Sequence, residues 1–301
     1  MGLVCGTGGV IMTVSMAGNL LIAGVAVGAV YAIMGLGLSY VYGITKIFNY
    51  TQGAFFTWAA YIAWVLSSGF FHLNYAAAVI ITVATMFLIG VGYEKAVIRP
   101  LRRFPEWQMT ALIVTLASAM ALDNLALAVF GYAPKRIPHL IKGNFVWGDF
   151  LITRHEVVTL VAALAIMFLL ILFLKKVREG MAMQGMAQEP VGARIVGIPI
   201  DKMYSYSFGI ATVLAGISAI LLAPKILIYP TVGWVVFIKA FVVMVFGGVG
   251  SIKGTVIAAF ILATVEVFVT YYIGGIWGMP IFIAVLAIML IIRPRGLFGT
   301  W

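Results

Sequence analysis

Residues 156–175 read EVVTLVAALAIMFLLILFLK, and the stretch 157–174 inside them contains no charged side chain. A helix crossing a hydrocarbon core ~30 Å thick needs roughly 20 mostly apolar residues. The apolar run is continuous and does not alternate with polar residues, which fits a membrane-spanning helix and not a strand of a transmembrane barrel. Seven further runs read the same way: 20–42, 54–72, 75–94, 109–131, 203–223, 255–273 and, shorter, 279–292. The run 238–250 is apolar but has only 13 residues, so it is either a short ninth span or half of a broken helix.

The rest of the chain agrees with this reading. Of its 301 residues 64% are apolar and 9% charged, with a mean hydropathy of +1.14. A soluble domain is nearer half apolar and a quarter charged, so a soluble enzyme, a disordered tail and a disulfide-rich secreted scaffold are excluded. The single cysteine, Cys5, allows no internal disulfide. The sequence opens without the basic start of a cleaved signal peptide, its first positive side chain being Lys46, and residue 6 is Gly where a myristoylation motif has Ser or Thr.

The net charge of +10 would suggest nucleic acid on a soluble chain. Here it reads as cytoplasmic loop charge, with no nucleic-acid partner expected. One set of connections carries Lys46, Lys95, Arg99, Arg102, Arg103, Lys175, Lys176, Arg178, Arg194, Lys202, Lys253, Arg293 and Arg295; the opposite set carries Lys135, Arg136, Lys142, Arg154, Lys225 and Lys239. Excess positive charge marks the cytoplasmic side. The fold class is therefore all-α and polytopic, with about 8–9 transmembrane helices, the N-terminus outside and the C-terminus cytoplasmic; nine crossings satisfy that parity. Small residues four apart (Gly24 and Gly28; Ala211, Ala215 and Ala219; Gly250 and Gly254) suit close helix packing in lipid.

Enzyme chemistry is not expected. No Gly-Lys dipeptide occurs, so a phosphate-cradling G-x-x-x-x-G-K-[ST] loop is absent. His155-Glu156 opens like a zinc-helix motif, but Thr159 stands where the second histidine belongs, and His72 and His139 lie apart from it; no metal is expected. No G-x-S-x-G elbow is present. What remains are polar residues inside or beside apolar spans: Asp123-Asn124, Glu266, and the group Asn49, Tyr50, Gln52 and Gly53. Charge at mid-membrane is costly and faces a cavity or a partner. Each of these residues either lines a translocation path or bonds a neighbouring helix, and the group at 49–53 reads equally as a cytoplasmic turn.

Between two spans lies KKVREGMAMQGMAQEPVGARIVGIPIDK, residues 175–202. Its length, its Gly180, Gly185, Pro190 and Gly192 breaks, and its mixture of charged and small residues predict a short amphipathic helix that inserts into a groove on a cytoplasmic partner. Arg178-Glu179-Gly180 with Ala182-Met183, Ala187-Gln188-Glu189, Ala193 and Gly197-Ile198 resembles the coupling loop, at about 176–202, of the permease subunits of high-affinity branched-chain amino acid ABC importers. The resemblance continues in order through most of the chain. Gly37 to Gly43 is similar to the end of that family's first span, Asn49-Tyr50-Thr51-Gln52-Gly53 to its I-N-F-A-H-G-E signature, and Asp123-Asn124-Leu125 to a Q-N-L segment. Lys239-Ala240-Phe241 through Gly254 resembles its glycine-rich turn, Glu266 a V-E pair, and Arg293 to Gly299 the usual ending.

The resemblance implies one permease domain over 1–301 in a prokaryotic plasma membrane. It also implies a second permease (a sibling chain or another copy), two cytoplasmic ATPase subunits and a periplasmic or extracellular solute-binding protein. ATP and Mg would be used by the ATPase partners, with no cofactor in this chain. The implied cargo is a small amino acid of branched-chain type or a related small organic solute. Gln52 and Ala54 replace the family's His and acidic residue, and Asp123 its Gln, which alters the polarity of any path they line. A stand-alone channel or secondary transporter for urea or amides is the competing reading, motivated by Asp123 and Glu266.

Overall fold

The structure, a computed structural model, describes residues 14–137, 143–147 and 150–299. Cys5, His139 and Lys142 lie outside the described residues. Twelve helices occur among those described: α1 (Val14–Thr45), α2 (Thr51–Trp64), α3 (Tyr75–Tyr93), α4 (Arg99–Leu101), α5 (Trp107–Phe130), α6 (Arg154–Lys176), α7 (Arg178–Gln188), α8 (Pro190–Ile195), α9 (Ile200–Leu222), α10 (Val232–Gly247), α11 (Ile252–Tyr272) and α12 (Gly278–Ile292). Seven of these segments are long and apolar enough to cross a membrane, and α10 is a shorter apolar helix. α2 runs on through a π-helical turn at Val65–Gly69, and α3 through another at Glu94–Ile98. The chain is an all-α polytopic membrane protein apart from one small antiparallel hairpin, β1 (Asn144–Trp147) with β2 (Phe150–Thr153), which the hydropathy pattern did not announce.

Helix starts follow from local chemistry. Asn74 accepts from the Ala76 amide at the head of α3, Thr153 and Glu156 form a capping box on α6, and Ser251 accepts from the Gly254 amide on α11. Each satisfies an amide that the first helical turn leaves without a partner.

α1, α2, α9 and α10 form the centre, where Tyr61, Phe55, Phe56, Phe208, Ile33 and Met34 are fully buried. α3, α5, α6 and α12 carry exposed apolar side chains, among them Ile80, Ile113, Phe168 and Ile291. On a soluble surface such an apolar ring would drive association; on this protein it is the face expected toward lipid. Gly24 and Gly28 let α1 lie against α11, since an added Cβ would come within 2.8 Å of Thr264 Cα and 3.0 Å of Phe260 Cα. The close approach near the glycine-rich turn is Gly247 on Gly254, not Gly250 on Gly254: a Cβ on Gly254 would meet Gly247 O at 2.0 Å, while Gly250 is nearest to Gly43 Cα at 3.9 Å.

One reading of the sequence is narrowed and one is corrected. Of the 238–250 run, residues 238–247 belong to α10, a short apolar helix that starts at Val232 and ends at Gly247; its 16 residues extend about 24 Å at 1.5 Å per residue. Lys239 is not in an external connection: it lies within α10, its ammonium paired to Glu266.

Both ends of the bundle are tied together. At one end Lys135 pairs through its backbone with Ile228 and Lys225 Nζ donates to Glu156 Oε1 at 2.8 Å. At the other, Arg102 Nη1 donates to Asp201 Oδ1 at 2.8 Å, and the Leu297 amide to Phe246 O at 2.9 Å. The second end is the one richer in lysine and arginine.

Candidate translocation path and coupling surface

The polar residues singled out inside the spans fall on two sides of α10. On one side, residues 46–50 leave α1 without helical structure and α2 begins at Thr51. Asn49 is buried, and its Oδ1 accepts from the Thr51 amide at 3.1 Å. Thr51 Oγ1 donates to Thr115 O on α5 at 2.9 Å. The Tyr50 amide donates to Thr115 Oγ1 at 3.4 Å. Gln52 Nε2 donates to Ala211 O on α9 at 2.7 Å. Gly53 touches Gly233 backbone to backbone: a Cβ on Gly233 would fall 1.9 Å from Gly53 O. Asp123 Oδ2 accepts from Trp234 Nε1 at 2.5 Å, and Trp58 Nε1 donates to Leu122 O. Asn49, Tyr50, Gly53 and Asp123 therefore lie along the seam of α2 with α5 and α10, while Gln52 turns from it toward α9 and α1.

An aromatic row lies along the same side. Trp234, Phe237 and Phe241 on α10 continue through Phe48 to Tyr42, with successive ring centroids between 4.5 and 6.1 Å apart, and Tyr50 sits 5.5 Å from Phe237. Asn124 does not join them. It is exposed on the outer face of α5 and its Nδ2 donates to Met120 O at 2.7 Å.

Glu266, on α11, lies on the opposite side of α10. Its Oε1 accepts from Lys239 Nζ, which also donates to Tyr31 OH on α1 at 3.0 Å. Lys239 was missed in the sequence because a single lysine in an apolar run reads as an end of a span; the acceptor that neutralises it lies 27 residues away. Four of the polar residues share a feature: Asn49 Nδ2, Gln52 Oε1, Asp123 Oδ1 and Glu266 Oε2 are each buried with no hydrogen-bond partner among the described residues. Buried polar atoms are nearly always partnered, so these four are sites where a partner would be gained.

The segment between α6 and α9 is a helix pair, not a single amphipathic helix. α7 buries Gly180, Met183 and Met186, and α8 buries Ala193. Gly180 packs on the end of α6 so tightly that a Cβ would fall 2.2 Å from Phe173 O. Met183 Sδ accepts from Tyr40 OH of α1. Glu189 caps α8, accepting from the Val191 amide at 3.2 Å, with Pro190 opening that helix. Arg178, Glu179, Gln188, Glu189, Arg194 and Gly197 are exposed, together with Val191, Ile195 and Val196, while Ala182 and Ala187 are half-buried. The outward face is thus charged at its rim and apolar at α8.

A second charged cluster, unread in the sequence, anchors the exit of this segment. Glu94 is fully buried and pairs with Arg102 at 2.5 Å and Arg99 at 3.1 Å. Ser205 Oγ donates to Glu94 Oε2 at 2.6 Å, Arg102 also reaches Asp201, and its guanidinium lies 4.4 Å from the Tyr204 ring centroid. His155 is buried with Nε2 3.1 Å from Leu221 O, joining α6 to α9.

Residues 20–293 match the family described as branched-chain amino acid transport system / permease component. The chain belongs to that family. It is 28% identical to the high-affinity branched-chain amino acid transport system permease protein BraD of Pseudomonas aeruginosa, over 93% of this chain and 94% of BraD. It is 26% identical to LivH of Escherichia coli K12, a permease protein of the same kind of system, over 92% and 93%. It is 24% identical to a probable branched-chain amino acid transport permease protein LivH of Methanocaldococcus jannaschii, over 89% and 88%. No solved structure matches the chain. The permease is thus a multi-pass transport protein by family and by its apolar helices.

Proposed function

We propose that this permease is the membrane subunit of an ATP-driven importer in a prokaryotic plasma membrane, carrying a small amino acid of branched-chain type or a related small organic solute. Its N-terminus would face outside and its C-terminus the cytoplasm, since Arg102, Lys176, Arg178, Lys202 and Arg293 share the more basic end. A binding protein would deliver the solute, a second permease would complete the path, and two ATPase subunits would supply the energy, so this chain hydrolyses nothing itself. Membership of the family and the similarity to BraD and LivH, both permease proteins of branched-chain amino acid transport systems, support the solute class. The single observation that carries the reading is the α7–α8 helix pair, seated on α1 and α6 by Met183 and Gly180 while it turns Glu179, Arg194 and Ile195 outward. That is the shape of a helix-in-groove contact.

The test is co-purification. With residues 178–197 replaced by a Gly/Ser linker, the ATPase subunits are expected to stop co-purifying with the tagged permease, and ATP-dependent leucine uptake to stop. Undiminished ATPase association would count against the reading. So would flux of leucine, urea or a simple amide through the permease alone in liposomes, the behaviour of the stand-alone alternative.

A further inference from the structure

A cavity of about 810 Å³ opens between α1, the α9–α10 connection, α10 and α11. Its size is in the range that holds small ligands. Val27, Leu222, Val235, Val236 and Val267 make its wall apolar; Lys239 and Glu266 line it together with Tyr31, and a third charged side chain, Lys225, lines it too but is paired with Glu156. Their pairing leaves binding capacity unused. An ammonium has three N–H donors; two of those on Lys239 go to Glu266 Oε1 and Tyr31 OH. Glu266 Oε2 is shielded from solvent and has no partner among the described residues. A buried carboxylate oxygen without a donor is costly, and a ligand that brings one removes that cost.

We propose that this cavity is a transient binding site for a zwitterionic aliphatic amino acid. Lys239 takes its carboxylate, the second oxygen of Glu266 takes its ammonium, and the valine-rich wall takes its side chain. The two charged groups of an α-amino acid sit on one carbon, so both reach a single ion pair at once without breaking it. A urea or simple amide can hydrogen-bond to both groups, but it brings no charge to either and no aliphatic side chain to the valine wall. The proposal rests on the reading of the chain as an amino acid permease and adds where in it the cargo is held.

The experiment uses the complete importer, the permease with its co-purifying subunits, in proteoliposomes, reading L-leucine uptake and ATP hydrolysis together. Glu266→Gln and Lys239→Gln are each expected to lower uptake about tenfold or more per assembled importer, beyond any loss of assembly. The exchange Lys239→Glu with Glu266→Lys restores an ion pair of reversed polarity. It is expected to restore assembly but not uptake, because a zwitterion bound in reverse turns its side chain away from the valine wall. Recovery of uptake by the exchange would show that the pair only holds helices together, and wild-type uptake by either single variant would overturn the site outright. Should the charge variants fail to assemble, Val235→Trp decides, since Val235 is partly exposed and its replacement fills the cavity without touching the pair. It is expected to cut leucine uptake about tenfold; unchanged uptake would overturn the site. Absence of leucine uptake by the wild-type importer would instead refute the solute reading itself, a result distinct from failure of the variants alone.

Discussion

Gly233→Ala is the substitution whose consequence the geometry fixes most directly. The new Cβ would sit 1.9 Å from Gly53 O, 2.6 Å from Gly53 C and 2.6 Å from Thr57 Oγ1. Carbon and oxygen in contact lie roughly 1.5 Å farther apart than that first distance, and the obstacle is helix backbone, which cannot rotate away. α2 and α10 must separate by about that much. Separation also loses the 3.0 Å bond from the Gly233 amide to Thr57 Oγ1. Overpacking costs about 1–3 kcal/mol and a buried hydrogen bond about 1 kcal/mol, so a destabilisation of about 2–4 kcal/mol is expected. Thermal unfolding of the purified permease in detergent measures it, with a fall in midpoint on the order of 5 °C or more. Gly43→Ala is the control, because nothing lies within 4 Å of a Cβ there, and its midpoint should stay near that of the wild type. An unchanged midpoint for Gly233→Ala would refute the inference that α2 and α10 are held at backbone contact.

Three further outcomes are expected. Glu94→Ala leaves the Arg102 and Arg99 guanidinium groups without their buried acceptor and should cost about 3–5 kcal/mol in denaturant unfolding. Lys225→Ala, which breaks a partly exposed pair, should cost under about 1 kcal/mol, and equal effects would contradict the burial argument. Asp123→Leu should lower solute uptake while the importer still assembles, and Trp234→Phe, which removes the 2.5 Å donor, should do so too; normal uptake by both variants would take Asp123 off the path. Gly180→Ala pushes α7 away from Phe173 and is expected to uncouple ATP hydrolysis from uptake, which parallel assays of the two rates would detect.

Much of the bundle was legible because apolar run length is a local property. The runs 156–175 and 255–273 reappear as Arg154–Lys176 and Ile252–Tyr272, each starting two or three residues earlier, where capping groups begin the helix, and ending within one residue of the expected end. α10 was harder. Gly233 and Lys239 both interrupt its hydropathy, yet Gly233 is there for contact with α2 and Lys239 is neutralised by Glu266, and both reasons are long-range. The breaks at Gly180 and Pro190 did announce a structured segment, but not its division into two helices or the burial of Met183 and Met186. Glu94 drew no attention in the sequence, since one acidic residue beside Lys95 and Arg99 reads as a solvated end. Its burial depends on Ser205, far along the chain. Among the candidate path residues, side chain type flagged the position and only packing sorted them: Asn49 and Asp123 to one side of α10, Gln52 toward α9 and α1, Glu266 to the other side of α10, and Asn124 to the outer surface.

The segment between α6 and α9 is held to α1 through Tyr40 and Met183, and the start of α9, into which it leads, is pinned to the end of α3 and the turn after α4 through Asp201, Ser205, Arg102 and Glu94. These contacts oppose the free swing of a tether. A force applied to its outer face passes into two separate spans together, as a door hung on two hinges turns as one leaf, and any tilt it produces must be shared by the central and the peripheral parts of the bundle.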